Sequence, residues 1–153
     1  MHRRTWLLLP AGVSLLAGLD AAPLLLEVPA PVDAAPLPTA HGILMVLGFL
    51  GTLISLERAV ALRSPWAYAA PALLGAGGVM LAAGPRLLGQ ALLIDGLVAF
   101  LAIAVLLEGR QGDGATAVEV LAVSHALAAA ILWTRLEVSA LLPLLVGFVV
   151  WTI

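Results

Sequence analysis

Six apolar runs follow one another along this chain, separated only by short polar or proline-rich breaks. Five of the runs extend for about 20 residues, the length that a helix needs to cross a lipid bilayer. Hydrophobic residues make up 63% of the 153 residues and charged residues only 10%, whereas a soluble domain carries about 25% charged residues. We therefore predict an all-α fold, a polytopic transmembrane helical bundle of about six spanning helices.

The predicted spans form a single transmembrane helical domain that covers residues 1–153. They lie at 5–26, 39–62, 66–84, 88–107, 116–134 and from 138 onward. The runs are continuously apolar instead of alternating, which excludes the strands of a membrane β-barrel. Cysteine is absent, so disulfides and thiolate metal sites are excluded. The glycine-rich stretch 75–78 predicts either close helix packing or a local break in the third span.

The distribution of arginine predicts the orientation, because positive residues concentrate on the cytoplasmic side of a membrane. Five arginines fall on the N-terminal side (Arg3, Arg4, Arg58, Arg63 and Arg110), and two fall on the other side (Arg86 and Arg135). We therefore expect a multi-pass protein of the inner (plasma) membrane. Its N-terminus is expected to be cytoplasmic, and the proline-rich loop 27–38 to face outward.

The last apolar run reaches Ile153 without a charge or a polar tail. We expect the chain to be the N-terminal part of a longer polytopic protein. Its expected partners are the lipid bilayer and either the missing C-terminal helices or a partner subunit. The net charge of −2 gives no argument for a nucleic-acid partner, and we predict none.

The second span carries a stripe of polar and small residues along one face. At 100° per residue, its members fall within about 40° of one line; they are His41, Met45, Gly48, Thr52 and Ser55. Two interpretations are open. The stripe either packs closely against a neighbouring helix, or it presents His41 and Met45 to haem iron or copper, which imidazole and thioether ligands suit.

A second intramembrane histidine, His125, lies near the middle of the fifth span. It either bonds a neighbouring helix or serves as a haem ligand, a metal ligand or a proton relay. From the span boundaries, its depth in the membrane differs from that of His41 by roughly 10 Å. Because the axial ligands of one haem face each other across the iron, we predict that the two histidines do not share a haem.

Two acidic residues indicate an alternative function that does not involve a cofactor. Asp20 and Asp95 lie in the outer halves of the first and fourth spans, where an ion-coupled transporter would use such carboxyls. We expect Asp95 to be buried against a neighbour. Its carboxyl is then expected to be protonated, to form a hydrogen bond or to pair with Arg86. Near the cytoplasmic boundary, Arg58 and Glu119 are interpreted as members of interfacial ion pairs.

The run from His41 to Thr52, HGILMVLGFLGT, resembles the HG…M…GF pattern of NnrS-like membrane proteins. That family comprises polytopic helical proteins associated with haem and copper and with nitric oxide stress. The resemblance implies that His41 is a cofactor ligand, with His125 as a second candidate. Members of the family are longer and carry further histidines in later spans, which agrees with an N-terminal part of such a protein.

The sequence shows no catalytic motif: it has no Ser-His-Asp order, no zinc-ligand spacing and no phosphate loop. The leading hypothesis is a haem- or copper-binding membrane protein linked to nitric oxide or redox stress. Its cofactor-binding candidates are His41, Met45 and His125, with His41 as the metal ligand. The alternatives are an ion-coupled transporter that uses Asp20 and Asp95, and a non-catalytic membrane scaffold in which every polar residue serves packing.

Overall fold

The computed structural model describes residues 3–26, 28, 29, 31 and 37–152. This part of the chain folds into six α-helices and contains no β-strand, so the predicted all-α fold is confirmed. The helices are α1 (Leu8–Leu25), α2 (Leu37–Leu62), α3 (Ala69–Ala83), α4 (Arg86–Gln111), α5 (Gly114–Leu132) and α6 (Val138–Thr152). Short 3₁₀ turns, Arg3–Leu7 and Pro65–Tyr68, lead into α1 and α3.

The helices follow the predicted spans closely. The largest difference is at the end of α4, predicted at 107 and found at Gln111. With their leading turns included, α1 to α5 are long and apolar enough to cross a membrane, whereas α6 is apolar but has only 15 residues. The predicted loop 27–38 lies mostly outside the described residues, and its last two residues begin α2.

Three of the turns between helices use a left-handed backbone conformation. Arg63 ends α2 with a φ of 56°, Gly84 ends α3 with a φ of 110° and Gly112 ends α4 with a φ of 63°. Glycine adopts such angles without a Cβ clash, which is why it commonly ends helices. Arg63 has a Cβ, so its left-handed conformation carries a steric cost. The carbonyl of the neighbouring Leu62 accepts a hydrogen bond from the Arg110 guanidinium at 3.1 Å. These tight turns place consecutive helices antiparallel and side by side.

The centre of the fold is a crossing of α1, α2 and α3 at three small residues. A Cβ placed on Gly78 would overlap the Ser14 hydroxyl and would lie 3.1 Å from the Cα of Gly48. The Ser14 hydroxyl donates to its own helix, at the Pro10 carbonyl, over 3.0 Å. Small residues therefore let three backbones meet here, which is the usual device where helices pack in an apolar medium.

Helices α3 and α4 are packed with similar closeness. A Cβ on Gly77 would lie 2.9 Å from the Cγ of Leu93, and one on Gly96 would lie 2.8 Å from the Cγ of Leu74. Helix α3 runs unbroken through its glycines. Of the two interpretations of the stretch 75–78, close packing is confirmed and a local break is wrong.

Valine in place of Gly78 is expected to lower the free energy of unfolding by about 1–3 kcal/mol, since overpacking a tight contact forces backbones apart. The measurement is unfolding of the detergent-solubilised protein in a titration with sodium dodecyl sulfate. Gly12→Val in α1 is the matched control, because no heavy atom lies within 4 Å of a Cβ built there. Equal unfolding midpoints for the two variants would contradict the three-helix crossing.

Lowering the pH is expected to weaken the start of α5. The Asp113 carboxylate accepts hydrogen bonds from the backbone N–H of Thr116 at 2.8 Å and from its hydroxyl at 2.9 Å. These bonds lower the pKa of Asp113 below its ordinary 3.8. The stabilisation is therefore complete above the ordinary pKa and is lost as the pH falls through the lowered one. Helicity followed by circular dichroism from pH 6 downward should fall less steeply in Asp113→Asn, which keeps a cap but does not titrate.

Candidate functional site

His41 lies in the first turns of α2 and is held by a carbonyl of α1. Its Nδ1 atom is 2.8 Å from the carbonyl oxygen of Gly18. A carbonyl oxygen can only accept a hydrogen bond, so Nδ1 carries the hydrogen and Nε2 of the neutral ring keeps its lone pair. Histidines that bind metals usually donate their other ring N–H in this way, which fixes the ring and its tautomer.

A cavity of about 520 Å³ adjoins His41. It lies between the end of α1, the start of α2, the first residue of α4 and the start of α6. Leu25, Val138 and Leu142 contribute apolar walls, while Arg86 and Glu137 also line it. This volume is within the range of about 300–1,000 Å³ that is typical of small-molecule and cofactor sites. The combination is an apolar space with an imidazole and a few polar groups.

Arg86 adds a cation to this cavity. Its guanidinium carbon lies 5.0 Å from the centre of the Trp133 ring, in a cation–π contact. Trp133 itself is only 3% exposed. Among the described residues, Arg86 has no acidic partner within salt-bridge distance, although Glu137 lines the same cavity. The guanidinium therefore keeps hydrogen-bond donors free for an anionic group.

Met45, predicted as the partner of His41, contacts the same glycine. A Cβ on Gly18 would lie 2.6 Å from the Met45 sulfur, so the thioether fills the notch that this glycine leaves in α1. The His41 ring and the Met45 side chain therefore both lie against Gly18, the ring at its carbonyl oxygen and the thioether at its Cα. Met45 is also not among the residues that line the cavity.

The rest of the polar stripe on α2 serves packing. Gly48, Thr52 and Ser55 are buried. The Thr52 hydroxyl donates to the Gly48 carbonyl at 2.6 Å, and the Ser55 hydroxyl donates to the Thr52 carbonyl at 3.1 Å. The segment Leu44–Gly51 is a π-helix, a wider form of helix that is found frequently at functional sites. The sequence contained no signal for it.

His125 lies elsewhere in the bundle. Its Nδ1 is 2.8 Å from the Leu121 carbonyl of its own helix, and its ring meets the Trp151 ring edge-on, with 4.9 Å between centroids. His125 lies next to Gly147 of α6. Gly42, the residue after His41, lies next to Val138 of α6. Nine residues separate these two positions on α6, which corresponds to about 13 Å of depth. The structure thus places the two histidines apart, as their predicted depths required.

The two acidic residues predicted to lie within spans, Asp20 and Asp95, have different surroundings. Asp20 lines an apolar cavity of about 610 Å³ between α1, the start of α2 and the end of α3. Asp95 does not line that cavity and is exposed on α4. The prediction that Asp95 is buried is therefore wrong for this chain, and Arg86 lies about 14 Å away along the helix. Asp20 thus lies beside a cavity, whereas Asp95 lies on the exposed side of α4.

An ion pair joins two helices at the opposite end of the bundle, where the sequence predicted interfacial ion pairs without specifying the partners. Arg58 Nε of α2 lies 2.6 Å from Glu119 Oε1 of α5, and the Glu119 side chain is only 5% exposed. Together with Thr152 they line a cavity of about 510 Å³. Since a carboxylate buried so deeply requires a partner, the pair is best explained as a link between two helices.

A complete metal site does not emerge from the described residues alone. Nowhere in 3–26, 28–29, 31 or 37–152 do three histidine, cysteine or acidic side chains come close enough to hold one ion together. His41 is therefore a single oriented imidazole beside a cavity.

Comparisons with known proteins give one result. A family model described as a domain of unknown function (DUF8744) matches residues 4–153, which is nearly the whole chain. Comparisons with curated proteins and with solved structures gave no match. Because this family model covers nearly the whole chain, the chain belongs to the DUF8744 family.

Proposed function

We propose that this protein is a multi-pass protein of the inner (plasma) membrane, with a cytoplasmic N-terminus, in which α1 to α5 cross the bilayer. The length and apolar character of these helices support this assignment. Large apolar side chains cover the outside of the bundle, among them Leu16, Leu26 and Leu87, which are 67%, 76% and 82% exposed. In water such a surface would favour aggregation, whereas in lipid it needs no cover.

Within the bundle, we propose that His41 binds haem iron or copper through Nε2. One observation carries the proposal: the Gly18 carbonyl holds the ring in the tautomer whose free nitrogen can bind a metal, next to a cavity of cofactor size. His125 has the same tautomer but bonds only its own helix, and no cavity described above includes it. His41 is therefore the first-choice ligand.

The residues around the cavity fit such a group. Gly42 lets the start of α2 approach the start of α6 closely beside the cavity, because a Cβ there would lie 3.0 Å from Val138 Cγ1. Apolar side chains contribute much of the wall, and Arg86 supplies a counter-charge for an anionic substituent. Haem iron or copper, when bound, supplies one-electron redox chemistry and a site for diatomic ligands. Together with the NnrS-like pattern at His41–Thr52, this suggests a role in nitric oxide or redox stress.

The test is the absorption spectrum of the full chain purified in detergent, oxidised and reduced, with iron and copper measured in the same sample. We expect a bound chromophore or stoichiometric metal that His41→Ala lowers at least about tenfold, the loss typical when a ligand or its supporting group is removed. His125→Ala is the matched control and should retain the wild-type spectrum. A colourless, metal-free protein would rule out the proposal, as would equal losses in the two variants.

Met45 provides a second, independent test. Because its sulfur fills the notch at Gly18 and Met45 is not among the residues that line the cavity, Met45→Leu should leave the metal content and the reduced spectrum unchanged. The swap conserves volume, so its cost in stability should stay below about 1.5 kcal/mol. Loss of metal from a variant that unfolds like the wild type would instead make Met45 a ligand.

A further inference from the structure

Asp95 is an exposed carboxyl deep within an apolar helix. It lies nine residues into α4, about 14 Å from Arg86 along an axis of about 39 Å. No other exposed charged residue in the described part of the chain lies so far from the ends of its helix. Asp95 has no hydrogen bond or ion pair with any described residue. In a bilayer this depth is in the hydrocarbon, where a bare carboxyl is costly and is normally covered by protein.

The surface around Asp95 has a regular repeat. Six exposed residues follow one another along α4 in alternating steps of three and four; they are Leu88, Ala91, Asp95, Val98, Ala102 and Val105, and we call this stripe the Asp95 face. The opposite side of α4 packs against its neighbours through buried residues such as Leu93, Leu97 and Phe100. A repeat of 3.5 residues is the one by which two helices pack side by side with a small crossing angle.

We propose that a second copy of this chain packs along the Asp95 face, so that two α4 helices lie parallel across a two-fold axis. The proposal rests on the membrane assignment made above and not on the cofactor. Copies inserted in the same orientation are related by an axis along the membrane normal. Each residue of the face then meets its own counterpart, and Asp95 meets Asp95.

Self-association satisfies the hydrogen-bonding needs of this carboxyl. A carboxyl that holds a proton both donates and accepts, so two carboxyls that share at least one proton bond each other. Ala91 and Ala102 flank Asp95 about one and two turns away, and their small side chains let the helices approach. The arginines of this chain lie near helix ends or in turns, so none offers a partner at the depth of Asp95.

The absence of cysteine from the chain permits a clean crosslinking test. Ala91→Cys and Val98→Cys place single thiols on the Asp95 face, and Val146→Cys is the control on α6, where Val146 is 54% exposed. After oxidation of the membranes with diamide, we expect a covalent dimer of twice the chain mass for the first two variants, at least about tenfold more than for the control. Equal crosslinking, no crosslinking, or a product containing another protein would overturn the proposal.

Substitutions at Asp95 separate hydrogen bonding from simple apolar contact. Wild-type protein is labelled with donor and acceptor fluorophores and diluted into lipid vesicles. Energy transfer between labelled copies then measures the fraction of the protein that is dimeric. Asp95→Leu should weaken the dimer about tenfold, whereas Asp95→Asn, whose amide also donates and accepts, should retain it. Because Asp95 is exposed and has no hydrogen bond or ion pair with any described residue, both variants should unfold like the wild type. An undiminished dimer in Asp95→Leu would contradict the proposal.

Membrane insertion, cofactor binding and dimerisation of the protein are measured separately. Resistance of the protein to extraction from membranes by alkaline carbonate reports insertion alone. The absorption spectrum of Asp95→Leu reports the cofactor alone and should equal that of the wild type. An inserted, coloured protein that stays monomeric would overturn only the dimer.

Discussion

Three backbones approach one another where Ser14, Gly48 and Gly78 meet, and there is no room at this point for one more carbon atom. In lipid, helices gain little from hydrophobic burial against each other, so such close contacts carry much of the packing. The crossing also sets the geometry of the candidate site. Gly18 lies one turn beyond Ser14 on α1, and His41 lies two turns before Gly48 on α2. The bond between them therefore depends on how these helices cross.

The polar side chains of this bundle differ in the groups that they contact. Thr52 and Ser55 bond carbonyls of their own helix, which is how hydroxyls are commonly satisfied in apolar surroundings. Arg58 and Glu119 form an ion pair between two helices. His41 bonds a neighbouring helix through one ring nitrogen and lines a cavity, while Asp95 has no hydrogen bond or ion pair with the described residues. The last two residues thus carry the inferences about function.

The number of helices and most of their boundaries followed from the sequence, because an apolar run of spanning length has few alternatives to a helix. The polar stripe on α2 was predicted from periodicity, and its burial at Thr52 and Ser55 is confirmed. The π-helical segment Leu44–Gly51 was not predicted, since a local change in hydrogen-bond pattern leaves hydropathy unchanged.

The surroundings of single side chains were harder to predict. A helix with a uniformly apolar composition has no polar face that marks its outside, so periodicity did not reveal that Asp95 points outward while Gly96 packs inward. The acceptor of His41 was equally hidden, because a backbone carbonyl leaves no mark in the sequence. The resemblance at His41–Thr52 suggested a ligand, and the Gly18 contact supplies the physical reason why this imidazole suits the role.

Pulsed electron paramagnetic resonance of the oxidised protein tests whether Nε2 of His41 binds the metal. With histidine labelled by ¹⁵N, we expect a strong coupling from a directly bound imidazole nitrogen, which disappears in His41→Ala and persists in His125→Ala. A coupling that survives in His41→Ala, or no histidine coupling in a metal-loaded protein, would contradict it.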